Sequence, residues 1–164
     1  FTGEAALALA ALSGRIALRE PFFTQCLARL EAPEPRVDLG GRLRGLARSA
    51  IDVSDGLLAD LGHILEMSGT GAEVRYDTLP RAPGIAACGD DALARECMTS
   101  GGDDYELVFT APPHRRREVE AVSADLGLAL TRIGSIVPGE PRAILRDAQG
   151  NAIPIAHPGF DHFR

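Results

Sequence analysis

The chain contains no tryptophan and only eight other aromatic residues, six Phe and two Tyr, so it lacks the interleaved stacking surface that single-stranded nucleic acids require. Positive charge is also short: 17 Lys and Arg face 23 Asp and Glu, a formal net charge of −6. That balance argues against a general nucleic-acid binder, because phosphate backbones reward clustered cations. The only dense basic run, Arg115-Arg116-Arg117, reads as a solvated helix face. Cysteine is scarce and odd in number, with Cys26, Cys88 and Cys97 far apart and no C-x-x-C pair, which excludes a disulfide framework or a zinc knuckle and implies reduced, buried thiols. No apolar run nears the roughly 20 residues of a membrane helix, and no signal peptide is present, so the expected location is cytoplasmic, with no membrane partner. The four histidines are scattered, no serine lies in a nucleophile elbow, and no G-x-x-x-x-G-K-[ST] is found.

What is present suits a globular α/β protein. Hydrophobic residues make up 45% of 164, enough for a core without a structural metal. Gly (18) and Pro (11) are raised, which predicts many turns rather than disorder. Residues 1–31 predict leading helices: a stripe of Leu7, Leu9, Leu12, Ile16 and Leu18 broken near Ser13-Gly14, then a helix from Pro21 to Leu30. Ala32-Pro33-Glu34-Pro35-Arg36 forms a connector, and 37–164 holds the α/β core. There the pattern predicts strands at 47–53, 72–76, 105–110, 128–137 and 142–145, and helices at 55–68, 90–98 and 114–126. Asp147 to Asn151 reads as a hairpin turn. The order β-α-β-α-β-α-β-β predicts an α/β sandwich of the split βαβ, ferredoxin-like type. The chain opens on Phe1-Thr2-Gly3 without an initiator Met, which predicts a piece of a longer protein.

Chemistry gathers in three stretches. In Ile51-Asp52-Val53-Ser54-Asp55-Gly56-Leu57, alternation places Asp52 opposite the apolar Ile51 and Val53 at a strand end, with Ser54 and Asp55 in the turn to a helix. Either Asp55 or Ser54 is a helix N-cap and Asp52 a surface residue, or the two carboxylates seat a divalent cation against phosphate. In Ser100-Gly101-Gly102-Asp103-Asp104-Tyr105-Glu106, alternation puts Asp104 and Glu106 on one side and Asp103 and Tyr105 on the other. A plain glycine-rich turn with solvated acids is the competing account. The tail Pro158-Gly159-Phe160-Asp161-His162-Phe163 either lids a flat heterocycle or plugs a core edge. The acidic helix at Asp55–Ser68 is expected to turn Leu57, Leu61, Ile64 and Leu65 to the core and Asp60, His63 and Glu66 elsewhere.

Taken in order, residues 51–64 (IDVSDGLLADLGHI), 101–107 (GGDDYEL) and 159–163 (GFDHF) resemble the thiamine-monophosphate kinases, as do Ser68–Ala72, Leu79-Pro80 and Ile133–Ile136. The resemblance covers nearly the whole chain. It implies the C-terminal domain of a two-domain enzyme similar in fold to aminoimidazole ribonucleotide synthetase, with the N-terminal metal and ATP domain missing from these residues. It further implies transfer of the γ-phosphate of ATP to thiamine monophosphate, assisted by Mg2+, in a homodimer of the full-length form. Carried over by position, Asp52 and Asp55 match magnesium ligands and Ser54 a residue near the ATP phosphates. Asp103, where the family often has Glu, matches an acidic residue at the thiamine substrate, and Phe160 an aromatic of the same pocket. Two other readings stay open: a related ATP-dependent synthetase, and a non-catalytic binding or interaction domain. The 164 residues alone are expected to be inactive.

Overall fold

Alanine and leucine, the strongest helix formers, dominate the first element of the computed structural model, which describes residues 1–157 and 159. That element, α1 (Glu4–Leu12), buries Ala5, Leu7, Ala8 and Ala10. Leu9 and Leu12 stand 55% and 56% exposed, so the predicted leucine stripe is not the inward face. At 100° per residue Leu9 lies across the helix from Leu7, and the alanine side packs inward because small side chains admit a close neighbour. That neighbour is α2 (Phe22–Glu31), which starts just after Pro21 as expected. A helix the sequence pattern hid, α3 (Val37–Leu43), carries Gly40-Gly41 in its middle. It is held from outside by packing, with Leu39 and Leu43 against Val122 in a second small apolar cluster.

The α/β core follows the expected order. It runs β1 (Ser49–Val53), α4 (Leu57–Ser68), β2 (Gly71–Arg75), a short α5 (Pro83–Ala86), α6 (Asp91–Ser100), β3 (Glu106–Thr110), α7 (Arg116–Leu126), β4 (Gly134–Val137) and β5 (Ala143–Arg146). Local signals set the ends. Asp90 caps α6 by accepting from the N–H groups of Ala92 and Leu93, both at 3.0 Å. Gly69 and Gly127 end α4 and α7 in the left-handed conformation. The Asp147 carboxylate accepts from the N–H groups of Gln149 (2.9 Å) and Asn151 (2.8 Å), fixing the predicted turn. The strand expected over 128–137 shrinks to its last four residues, because Leu128 and Leu130 pack into the second cluster instead of pairing.

The strands form two small sheets. β1 and β3 pair antiparallel from Ser49–Thr110 to Val53–Glu106. β2 lies between β4, to which it is antiparallel, and β5, to which it is parallel. Helix α4 is the hinge of this arrangement: it leaves β1 of the first sheet, enters β2 of the second, and packs on β1, β3 and β5. Its Leu57, Leu58, Leu61, Ile64 and Leu65 join Val53, Val74, Val108 and Leu145 in the main core. The architecture is the expected α/β one, with its sheet split in two.

Candidate functional site

β1 delivers Asp52 to an exposed position opposite Leu107, while Val53 beside it is 1% exposed. The chain then turns through Ser54-Asp55-Gly56 into α4. Gly56 has φ 123° and ψ 147°, a conformation essentially reserved for glycine. A Cβ there would lie 2.8 Å from the carbonyl carbon and oxygen of Ser100. The turn is therefore pressed directly onto the end of α6.

Gly56 occupies the N-cap position of α4, so neither Ser54 nor Asp55 does. The helix start is served by Asp60, which the periodicity had placed away from the core face. It is 2% exposed, and its Oδ2 accepts the N–H groups of Ser54 (2.9 Å), Asp55 (3.0 Å) and Gly56 (3.2 Å). Burial raises the Asp60 carboxyl above the ordinary range, partly offset by those backbone donors. The three N–H groups of the turn are thus already engaged by the protein's own carboxylate. Sequence reading missed this residue; an acid in the first turn of a helix, four residues after a Gly, was the available signal.

The second stretch docks on the first. Asp103 N–H donates to the Ser54 carbonyl at 2.9 Å, and Tyr105 N–H to the Val53 carbonyl at 2.8 Å. Asp103 (φ 65°) and Tyr105 (φ 50°) are the two non-glycine residues with positive φ among the described residues. Gly102 has no room for a side chain because the Ser54 carbonyl sits where its Cβ would be. Asp103 and Tyr105 face outward, and Tyr105 is 40% exposed.

Asp104 turns the other way, as alternation predicted, although left-handed residues rather than a strand achieve it. Its carboxylate accepts the Gly3 N–H at 2.7 Å, at the start of α1. Burial pushes its carboxyl up to about 7, against the opposing pull of the Gly3 and Ala5 N–H groups. Glu106 accepts twice from Arg36, at 2.9 and 2.8 Å. Burial works to raise its carboxyl, but the Arg36 guanidinium bonded to it holds it below its ordinary range.

Gly159 of the third stretch reaches the same place. At Gly159 a side chain would strike the Asp55 carbonyl oxygen and the Ala59 methyl. Phe160, like the rest of the tail beyond it, lies outside the described residues. The structure thus gathers Asp52, Ser54, Asp55 and Asp103 along one edge, and Gly159 comes up to it. Hollows beside Val37, Asp38 and Leu126, and beside Gly71, Val137 and Arg142, touch none of these residues. Among the described residues no three His, Cys, Asp or Glu form a metal cage. Two carboxylates and a hydroxyl, all hard oxygen donors, suit magnesium, which takes one or two carboxylates together with phosphate oxygens and water. No helix among the described residues is long and apolar enough to cross a membrane.

The chain is similar to known proteins along most of its length. The chain is 38% identical to the thiamine-monophosphate kinase of Salmonella typhimurium over 163 residues, 98% of this chain and 50% of that protein. The crystal structure of thiamine-monophosphate kinase from Stenotrophomonas maltophilia superposes with a TM-score of 0.81 at 42% identity, covering 88% of this chain and 47% of that one. AaThiL complexed with AMPPCP and TMP matches with a TM-score of 0.77 at 26% identity, covering 99% and 48%. The chain spans about half the length of the curated relatives it matches. Residues 26–146 match the model of the AIR synthase related protein, C-terminal domain, and the chain belongs to that family.

Proposed function

We propose that this chain is the C-terminal half of a cytoplasmic, ATP- and Mg2+-dependent kinase that phosphorylates thiamine monophosphate to thiamine diphosphate. The observation that carries the reading is the convergence of the Asp52–Gly56 turn, the Gly101–Tyr105 loop and Gly159 on one edge. The named relatives, and the AaThiL complex with AMPPCP and TMP, supply the reaction class.

In this scheme Asp52 and Asp55 hold magnesium and Ser54 lies beside the ATP phosphates. Asp103 faces the thiamine substrate and Phe160 closes its pocket. Magnesium bound there supplies charge neutralisation on the phosphate chain. The transfer breaks the bond between the γ-phosphorus and the bridging oxygen of ATP and forms one to a phosphate oxygen of thiamine monophosphate, so no enzyme nucleophile is required. What the residues contribute is placement: backbone contacts from Val53 and Ser54 set Asp103 at a fixed offset from Asp52 and Asp55. A preceding domain is proposed to supply the remaining carboxylates and the contact of a homodimer, so the 164 residues alone do not turn over.

The test is Asp52→Asn in the protein as its gene encodes it in full. ADP release is followed with thiamine monophosphate and with unrelated phosphate acceptors. Turnover should fall by about 100-fold or more, at or beyond the top of the roughly 10–100-fold range that loss of an outer partner to a metal ligand costs, and only thiamine monophosphate should serve as acceptor. Near-normal turnover of Asp52→Asn, or equal use of other acceptors, overturns the reading. Kinase activity in these 164 residues alone overturns the need for a second domain.

A further inference from the structure

The buried Asp60 carboxylate has no role in the scheme above, yet it is the group on which the whole turn hangs. We propose that Asp60 is a positioning residue. By gathering the N–H groups of Ser54, Asp55 and Gly56 it fixes the aspartate pair as a cation seat and withholds those N–H groups from phosphate. This inference rests on the kinase reading and deepens it.

The geometry separates Asp60 from the groups it serves. At 2% exposure it cannot touch a substrate. One oxygen, Oδ2, takes all three consecutive donors, at 2.9, 3.0 and 3.2 Å. A run of N–H groups converging on one point at a helix start is the arrangement that elsewhere cradles a phosphate. Here an internal carboxylate fills the cradle, so a phosphate entering the edge meets carboxylates rather than open donors. Attraction then has to come through a cation, and the buried negative charge behind the turn strengthens the seat for one.

The same bonds set the direction of the two ligand residues. Asp52 lies two residues before the first donor and Asp55 supplies the second. Fixing three successive peptide planes leaves the turn few backbone freedoms, and the remainder is taken up by contact on the other side. There the Ser54 carbonyl accepts from Asp103, and Gly56 lies against the Ser100 carbonyl. Without Asp60, three buried or half-buried donors lose their acceptor, and the turn is free to rotate its peptides outward.

The experiment uses the protein as its gene encodes it, with Asp60→Ala and Asp60→Asn beside Asp52→Asn. Binding of Mg2+ alone and of Mg2+ with AMPPCP is measured by calorimetry. Amide hydrogen exchange over residues 53–57, kcat, and KM for thiamine monophosphate are measured alongside. Asp60→Ala should raise the magnesium concentration for half-saturation by about 10–100-fold, the range typical of outer partners to metal ligands. The 54–56 amides should exchange faster, while KM for thiamine monophosphate moves less than about 2-fold. If Asp60→Ala does not fold, Asp60→Asn decides, since it keeps an acceptor oxygen and loses the charge. A magnesium midpoint raised at unchanged thermal stability supports the inference, and an unchanged midpoint overturns it. If Asp52→Asn weakens magnesium binding and the folded Asp60 variants do not, the positioning role alone fails. If Asp52→Asn leaves magnesium binding and turnover intact, the kinase reading fails first.

Discussion

A single added methyl group should have opposite consequences at two glycines, Gly56 at the N-cap of α4 and Gly62 inside the helix. At Gly56, φ of 123° is a region where an L side chain is strained by about 1–3 kcal/mol. An added Cβ would also sit 2.8 Å from the Ser100 carbonyl carbon and oxygen and 3.0 Å from its Cα, all backbone atoms that no rotamer change can move. Forcing the turn away from α6 costs a further 1–3 kcal/mol, roughly the range for overpacking a close-packed interior. Gly56→Ala should therefore lose about 3 kcal/mol or more, which for a protein of this size lowers Tm by roughly 6–12 °C. Gly62, six residues on, is in the helix interior and has nothing within 4 Å of an added Cβ. There Ala removes the backbone-entropy cost of glycine, and Gly62→Ala should gain about 0.5–1 kcal/mol. Thermal and denaturant unfolding of the two variants and the parent decides the matter. A Gly56→Ala variant within about 0.5 kcal/mol of the parent, the usual band for an unremarkable surface change, refutes the claim that the turn is clamped between Asp60 and α6.

Two more outcomes follow from burial. Asp104→Asn keeps an acceptor for the Gly3 N–H but cannot ionise. Because burial holds the Asp104 carboxyl up to about 7, the folded chain keeps its proton while the unfolded chain ionises near the ordinary carboxylate value, so the parent loses stability as pH rises from about 4 to 7. Denaturant midpoints across that window should show Asp104→Asn gaining on the parent by on the order of 2–4 kcal/mol and then holding level, and a difference constant from pH 4 to 8 refutes it. All three cysteines are buried, and burial pushes the Cys26 and Cys97 thiols up to about 12. A disulfide reagent at pH 8 should therefore leave the native protein unlabelled over minutes and titrate three thiols after denaturation, whereas prompt labelling of Cys26 or Cys97 shows that the core opens.

The elements that were legible in the sequence are those whose signal is local. Gly69 and Gly127 stop their helices, Asp90 starts one, and Asp147 folds its turn, each through bonds within a few residues. Where the deciding force comes from afar, pattern reading falters. The glycine pair in α3 argues against a helix, and apolar partners far along the chain, among them Leu107 and Val122, help to hold it. Leu9 and Leu12 look more hydrophobic than Ala8 and Ala10, but closeness of approach rather than hydrophobicity selects the inner face of α1. Division of the strands into two sheets is likewise a matter of long-range pairing, which no period-2 signal encodes. Asp60 is the most consequential omission, since helical periodicity sorts by polarity and so sends an acid to the surface.

The acidic residues that made the two stretches conspicuous divide into two groups by where their oxygens go. Asp60 is spent on the Ser54–Gly56 amides, Asp104 on the start of α1, and Glu106 on Arg36. Asp52 and Asp103 are exposed on the edge that those three anchors shape. The glycines among them serve the same division: Gly56 and Gly102 let the turn and the loop touch through backbone, one against Ser100 and the other against Ser54. Charge that would be destabilising as a cluster is thus partitioned, three of these five carboxylates engaged by donors within the fold and two presented outward. Much of what the sequence motif spells out is thus scaffolding for a few exposed carboxylates.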